Sequence, residues 1–418
     1  MSSLLIKNVV LNQHSVDILI KENRFAQIAS AINEKSDEII YGHGKMAILP
    51  AFYNAHNHAA MTLLRSYADD LPLQEWLTKF IWPVEAKMTP EDIEIGSRLA
   101  CIEMIRSGTV FFNDMYWRYE RVVKAADEMG MRFGSGPLIL NAFNPQIAES
   151  QDSDLNKFLE TLESFPSRMI PMLNPHAIYS VKRETLEKLG ELAARHKLPV
   201  HIHLSETRQE LKDCIREHGV RPAFYLDSLG LLTKKTILAH AIWIDDAERE
   251  LLHSRGVSLA HMPISNMKLS NGVFNVAAAQ LSGIRVVLGT DGCSSNNSLD
   301  MLQEMKFAAL LAKHFSGVPT TLPAAEAYKM ATRYSAEAFG LDAGVIETGK
   351  LADAILVDLE DCRLTPGHNL ISDMVYSADS SVIDTVICDG RILMKNRQIP
   401  GEKEIIEMAR EAAKRLTK

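Results

Sequence analysis

The chain has 418 residues, with 45 lysines and arginines against 53 aspartates and glutamates, for a net charge of -8. That length exceeds what one core usually sustains and points to one large domain with a smaller module. The acidic balance, without any Lys/Arg-rich block, gives no footprint for nucleic acid or an anionic membrane surface, so the expected partner is a small molecule.

The start, MSSLLIKNVVLNQHSVDILIKEN, alternates and carries charge early. It has neither the basic opening nor the unbroken apolar stretch of a secretory signal, so a cytoplasmic location is expected. No apolar run approaches the roughly 20 residues that span a bilayer. Cys101, Cys214, Cys293, Cys362 and Cys388 are odd in number and widely spaced, which suits reduced thiols.

In chain order, LLIKNVV, VDILIKENRFAQIA and EIIYGHGKMAIL alternate or run apolar and predict a small sheet over the first fifty residues. From Ala51 the rhythm becomes one of short apolar runs separated by helical segments. Eight runs are found: AFYNAHNH (51–58), TVFFNDM (109–115), MRFGSGPLIL (131–140), MIPMLNPHA (169–177), PVHIHLSE (199–206), TILAHAIWI (236–244), VSLAHMP (257–263) and RVVLGTDG (285–292). Between them lie amphipathic segments such as PEDIEIGSRLACIEMIRSG and DDAERELLHSRG, each with an acidic start and a glycine end. This cadence predicts an α/β fold, a TIM-like (β/α)8 barrel over 51–344. Helices are expected near 299–313 and 323–339. β character then returns in LADAILVDLE, SDMVYSA and SVIDTVICDGRILMKN, so residues 1–50 and 345–400 are expected to form one discontinuous β-sandwich domain, with a helix over 401–418.

Metal-ligand residue types close several of the runs. Residues two apart on a strand share a face, so His56 and His58 can chelate one ion. His201 and His203 also share a face, but only His203, nearer the strand end, should reach that ion; His201 is expected to be a hydrogen-bonded core histidine lower down. His240 and Asp291 also end apolar runs, where a barrel presents its catalytic loops. A buried aspartate must be paired or bound to metal, or else cap the next segment. Glu206 fits a proton donor three residues beyond His203 as well as it fits a solvated first-turn glutamate.

The combination NAHNHAAMTLLR, PHAIYS, HIHLSE, LAHAIWI, AHMPISNMKLSNG and LGTDGCSSNNSLDMLQEM resembles the amidohydrolase superfamily. Within it, the chain most resembles the branch of aminopurine deaminases and triazine hydrolases that includes the methylthioadenosine/S-adenosylhomocysteine deaminases. The resemblance covers nearly the whole chain. It implies one divalent metal per subunit, zinc or else iron, held by His56, His58, His203, His240 and Asp291. No lysine lies in the fourth run to bridge a second ion. It further implies Asp291 as proton acceptor, Glu206 as ring-nitrogen acid, His176 as a hydrogen-bond donor to substrate and Glu85 as a ligand for ribose hydroxyls. Trp76 and Trp82 could wall a flat purine or simply pack in the core. Asn266 and Lys268 fit loop support as well as ligand contact.

Relatives that accept S-adenosylhomocysteine carry arginines after the third strand, whereas here only Arg132 is offered, at the strand's beginning. The expectation is therefore deamination of adenosine, 5'-deoxyadenosine or methylthioadenosine in preference to S-adenosylhomocysteine. The alternatives are hydrolysis of s-triazines and, more remotely, a non-catalytic interaction barrel. Similar proteins imply a homodimer.

Overall fold

In the computed structural model, residues 3–142 and 145–417 are described; Met1, Ser2 and Lys418, included in the expected terminal segments, lie outside them, as do Phe143 and Asn144. Strands from both chain ends pair in one eight-stranded sheet. Its order runs Arg391–Met394, Ile383–Cys388, Ala354–Asp358, Met46–Pro50, Ser3–Leu11, His14–Lys21 and Arg24–Ala29, with Glu38–Tyr41 parallel to Ser3–Leu11. The junction between the two ends is the antiparallel pair Met46–Pro50 and Ala354–Asp358. Alternating apolar residues, including Ile6, Ile18, Ile48 and Leu356, close a core on this sheet.

The remainder alternates short parallel strands with helices. The strands form ladders of Met169–Pro171, Arg132–Ser135, Thr109–Asp114 and Phe52–Asn57, of Asn174–Pro175 with Leu138–Ile139, and of Val200–Leu204, Thr236–His240, Ser258–His261 and Arg285–Leu288. Isolated bridges join Leu173 to Val200 and Ala177 to His203. At the other junction Thr290 N and Asp291 N both donate to the His56 carbonyl. Two of the expected runs are interrupted. Between Ser135 and Leu138, Gly136 lies so close to the Met172 carbonyl that a Cβ would sit 1.9 Å from its oxygen, and Pro137 has no N–H to give a ladder.

The helical signals are realised by side-chain caps. Thr89 and Asp92 form a capping box at the start of Pro90–Arg106, as Asp245 and Glu248 do for Asp246–Arg255, which ends on Gly256 at φ +69°. The C-terminal helix is Glu402–Leu416. One expectation is corrected: the first five residues of SDMVYSA, read as β, lie in the helix Leu370–Tyr376 and Ser377 is its C-cap. Asn369 caps it by accepting from Ser372 N, and Met374 and Val375 are buried, a packing that outweighs strand propensity over so short a stretch. Among the described residues, no helix is long and apolar enough to cross a membrane.

Arg132 does not reach the strand ends. It is buried at the opposite end of its strand, with Nε 2.9 Å from Asp353 Oδ2 and a further bond to Asp389. Tyr53 donates to Asp353 at 2.7 Å, and Asp389 N donates to the same carboxylate at 2.7 Å. This network ties the parallel strands to the terminal sheet. Removing Asp353 leaves buried Arg132 with Asp389 alone and takes the acceptor from the Tyr53 hydroxyl and Asp389 N, so Asp353→Ala is expected to cost about 3–5 kcal/mol in urea unfolding. Glu360→Ala, which breaks only the exposed pair with Lys45, should cost less than about 1 kcal/mol.

Candidate metal centre and active site

The imidazoles of His56, His58, His203 and His240 and the carboxylate of Asp291 converge at the carboxyl ends of their strands. Ring centroids of His56 lie 4.8 Å from those of His58 and His203 and 5.7 Å from that of His240. Nitrogen and oxygen atoms from His56, His58 and His203, and from His56, His240 and Asp291, form two overlapping clusters with every atom within 4.8 Å of the others. His240 and Asp291 have φ of +69° and +63°, the left-handed region that non-glycine residues seldom adopt. That strain turns both side chains out of their strand lines and toward the cluster.

In all four rings Nδ1 is already engaged. His58 Nδ1 lies 2.6 Å from the Met115 carbonyl, and His203 Nδ1 lies 2.7 Å from the His176 carbonyl. His240 Nδ1 is 2.8 Å from Asn266 Oδ1. His56 Nδ1 is 2.7 Å from His201 Nε2, and His201 Nδ1 is 3.1 Å from the Ile237 carbonyl. A carbonyl only accepts, so His201 carries its proton on Nδ1 and its Nε2 accepts from His56. This is the core role expected of His201. Each of the four rings therefore turns Nε2 toward the cluster. His56 Nε2 is buried without a hydrogen-bond partner, 3.4 Å from Asp291 Oδ1, and His58 Nε2 lies 3.2 Å from the same oxygen. Imidazole nitrogens turned toward a carboxylate, His56 Nε2 with no hydrogen-bond partner and each ring held through its other nitrogen, fit a tetrahedral or five-coordinate divalent ion such as zinc.

The electrostatics fit the same description. Burial brings His56 down to about 4 and keeps His203 well below the ordinary histidine range. Burial opposes charge on His58 too, but the Asp291 carboxylate and the Met115 carbonyl outweigh it and raise His58 to about 9. Burial alone would raise Asp291, yet the two histidines hold it well below the ordinary carboxylate range.

A pocket opens above the cluster, lined by Trp76, Trp82, Glu85, His176 and Glu206; Asn266 and Lys268 are not among its lining residues. His56 lies behind, fully buried. Trp76, Trp82 and Glu85 come from the segment Leu73–Glu85, whose middle, Leu77–Ile81, is a π-helical turn. Glu85 is partly buried and accepts from Tyr116 at 2.6 Å; burial lifts it to about 7 against the pull of that bond. His176 Nδ1 lies 2.8 Å from Ser180 Oγ, and burial with the neighbouring histidines depresses it to about 3, so the ring is neutral. Glu206 is buried and raised above its ordinary value by burial and by Asp291, with His240, His58 and Asn271 opposing. Its backbone N and that of Ser205 donate to the Glu210 carboxylate at 2.9 and 2.8 Å.

Several contributors were not singled out from the sequence. Ser265 and Ser295 donate to Asp291 Oδ2 at 2.6 and 3.0 Å, and Asn271 donates to Glu206 at 2.6 Å. Tyr116, two residues past the end of Thr109–Asp114, was within reach of strand-end reasoning; Ser265, Asn271 and Ser295 lie inside the motifs AHMPISNMKLSNG and LGTDGCSSNNSLDMLQEM, but nothing in those motifs says which side chain they touch. Lys268 ties loops together through Asp69 at 2.6 Å.

A model of the amidohydrolase family matches residues 47–393. The chain belongs to that family. This amidohydrolase is 45% identical over 387 residues to 5-methylthioadenosine/S-adenosylhomocysteine deaminase 1 of Archaeoglobus fulgidus, covering 92% of this chain and 91% of that one. It is 45% identical over 425 residues to 5'-deoxyadenosine deaminase of Methanoregula boonei, covering 100% and 96%. Among solved structures, an adenosine deaminase from Xanthomonas campestris with bound zinc superposes with a TM-score of 0.94 at 32% identity, covering 99% of this chain and 98% of the other.

Titration of the chelator-treated amidohydrolase by histidine NMR is expected to show His58 protonated up to about pH 9 and His56 neutral down to about pH 4. Asp291→Asn removes the counter-charge and should return His58 toward its ordinary range; an unchanged His58 titration would contradict this account.

Proposed function

We propose that this amidohydrolase is a metal-dependent deaminase that hydrolyses the amino group from the purine of adenosine, 5'-deoxyadenosine or methylthioadenosine in preference to S-adenosylhomocysteine, giving the inosine analogue and ammonia. The observation that carries this reading is the convergence of four Nδ1-anchored imidazoles and Asp291 beneath a pocket that also presents a buried glutamate, Glu206. His56, His58, His203, His240 and Asp291 would hold one ion, zinc or alternatively iron, as the donor set allows. Bound there, the ion supplies Lewis acidity that brings the pKa of a water from 15.7 toward about 7.

The chain's own groups do the rest. Asp291, its Oδ2 fixed by the Ser265 and Ser295 hydroxyls, accepts the proton of the attacking water as its oxygen bonds to the amino-bearing ring carbon. Glu206 donates its proton to the adjacent ring nitrogen, so negative charge does not build on the ring. His176 hydrogen-bonds the substrate. The proton held by Asp291 then passes to the departing amine, and ammonia leaves as the hydrogen remaining on the new oxygen returns to Glu206 and the ring carbonyl forms. Trp76 and Trp82 flank the purine, and Glu85 accepts the ribose hydroxyls. An s-triazine offers no vicinal hydroxyls to Glu85, which favours the nucleoside over that alternative.

Toward the 5' end the third strand contributes Leu138 and Leu140, and no lysine or arginine lines the pocket among the described residues. Arg132 is committed to Asp353 and Asp389. The methylthio and 5'-deoxy nucleosides of the relatives' names therefore fit better than a homocysteine carboxylate. The same reading completes the ladders as a closed (β/α)8 barrel over 51–344. It makes the two-ended sheet a separate β module of residues 1–50 and 345–400, with the helix over 401–418 appended.

Ammonia release from methylthioadenosine or 5'-deoxyadenosine is expected to exceed that from S-adenosylhomocysteine by about 10–100-fold in kcat/KM, the worth of one missing charge-assisted hydrogen bond. Chelation should abolish turnover and added zinc restore it. Equal use of the homocysteine conjugate overturns the substrate assignment. Glu206→Gln should lower kcat by about 10²–10⁴-fold. Because Glu85 accepts hydroxyls best as a carboxylate and titrates at about 7, KM should rise as pH falls below that value. Glu85→Gln should raise KM and remove its pH dependence.

A further inference from the structure

Glu206 has two carboxyl oxygens in different surroundings. Oε1 accepts a hydrogen bond from Asn271 Nδ2 at 2.6 Å, whereas Oε2 lies 3.8 Å from His240 Nε2, on the side of the imidazole cluster. The main chain beneath is already fixed, because Glu210 accepts from the backbone N of both Ser205 and Glu206. The remaining freedom is rotation of the Glu206 side chain. Asn271 is the one side chain among the described residues with a hydrogen bond to its carboxyl group.

Asn271 is itself held firmly. Its backbone N donates to the Asn266 carbonyl at 3.0 Å, and its carbonyl accepts from Trp243 Nε1 at 2.8 Å. The next residue, Gly272, has φ +128°, and a Cβ there would meet the Trp243 ring at 2.6 Å, so the loop is pressed flat against the indole. Asn266, at the other end of this loop, holds His240 Nδ1. One short loop therefore sets both an imidazole of the cluster and the carboxyl group beside it.

A carboxylic acid can carry its hydrogen on either oxygen. An oxygen that already receives an amide N–H is the poorer site for that hydrogen, because the carbonyl oxygen of a carboxylic acid accepts a hydrogen bond more strongly than its hydroxyl oxygen does. We propose that Asn271 is a positioning residue for the reaction: its amide turns the Glu206 carboxyl group so that Oε2 carries the transferable hydrogen and faces the substrate. After transfer, the same N–H stabilises the carboxylate left on Glu206. This inference rests on the reading of Glu206 as the acid.

The test is a double-mutant cycle on the metal-loaded enzyme, with methylthioadenosine as substrate. Asn271→Ala is expected to lower kcat by about 10–100-fold, the equivalent of one hydrogen bond to a charged group, while leaving KM, bound zinc and the thermal midpoint unchanged. Asn271→Leu, which keeps volume without an N–H, should behave the same way, so that a packing defect in the first variant cannot imitate the result. In the Glu206→Gln background, adding Asn271→Ala should change nothing further, because a residue that acts through Glu206 is silent once that acid is gone. The proposal is overturned by a KM that moves with kcat, by loss of zinc, or by the same fold-loss with and without Glu206. If Glu206→Gln alone retains full kcat, the acid reading itself fails, a result distinct from a normal Glu206→Gln defect with an inert Asn271.

Discussion

Four imidazoles and a carboxylate can be buried around one point only if their protons are assigned in advance, because desolvation punishes every misplaced charge. In this chain the assignment is made through Nδ1. The Met115 and His176 carbonyls, the Asn266 amide oxygen and His201 each take that hydrogen, and the opposite nitrogen of every ring is left to the centre. The rest of the site is arranged around this constraint. His201, fully buried and facing no substrate, sets the tautomer of His56 by accepting its hydrogen and passing its own to Ile237.

The architecture supplies carbonyl groups where they are needed. Parallel strands end side by side, so the main chain of one strand's terminus can hold the side chain of the next, as His176 holds His203. Positive φ at His240 and Asp291 and the close approach of Gly136 to Met172 are tolerated because ladders and helices on both sides fix the chain. At the far end of the strands, the Arg132, Asp353 and Asp389 network joins the parallel strands to the sheet built from the termini. A charge spent there is unavailable to the pocket, and the specificity proposed above depends partly on that commitment.

Within the pocket, carboxylates are differentiated by surroundings alone. Asp291 faces imidazoles and is held well below the ordinary carboxylate range, Glu206 lies between the Asn271 amide and the His240 ring and is raised above its ordinary value by burial, and Glu85, beside Tyr116, is lifted by burial to about 7. Separating neighbouring carboxyl groups in this manner is how one site can supply both a proton acceptor and a proton donor.

The amino-acid sequence by itself determined the strand and helix cadence, the capped helices at Thr89 and Asp245, and which residues stand at strand ends, because hydrophobic period and capping chemistry are local. His56 with His58, and His201 below His203, followed from two-residue parity along a strand. Tertiary structure alone decided what lies across space. The serines on Asp291, the Asn271 contact to Glu206 and the engagement of Arg132 by Asp353, 221 residues away, join segments whose separation leaves no periodic trace. For the same reason SDMVYSA was misread: seven residues carry too little pattern to separate strand from helix, and the burial of Met374 and Val375 settled the matter. Local chemistry placed each donor on its own element, but only packing could bring the donors to one point.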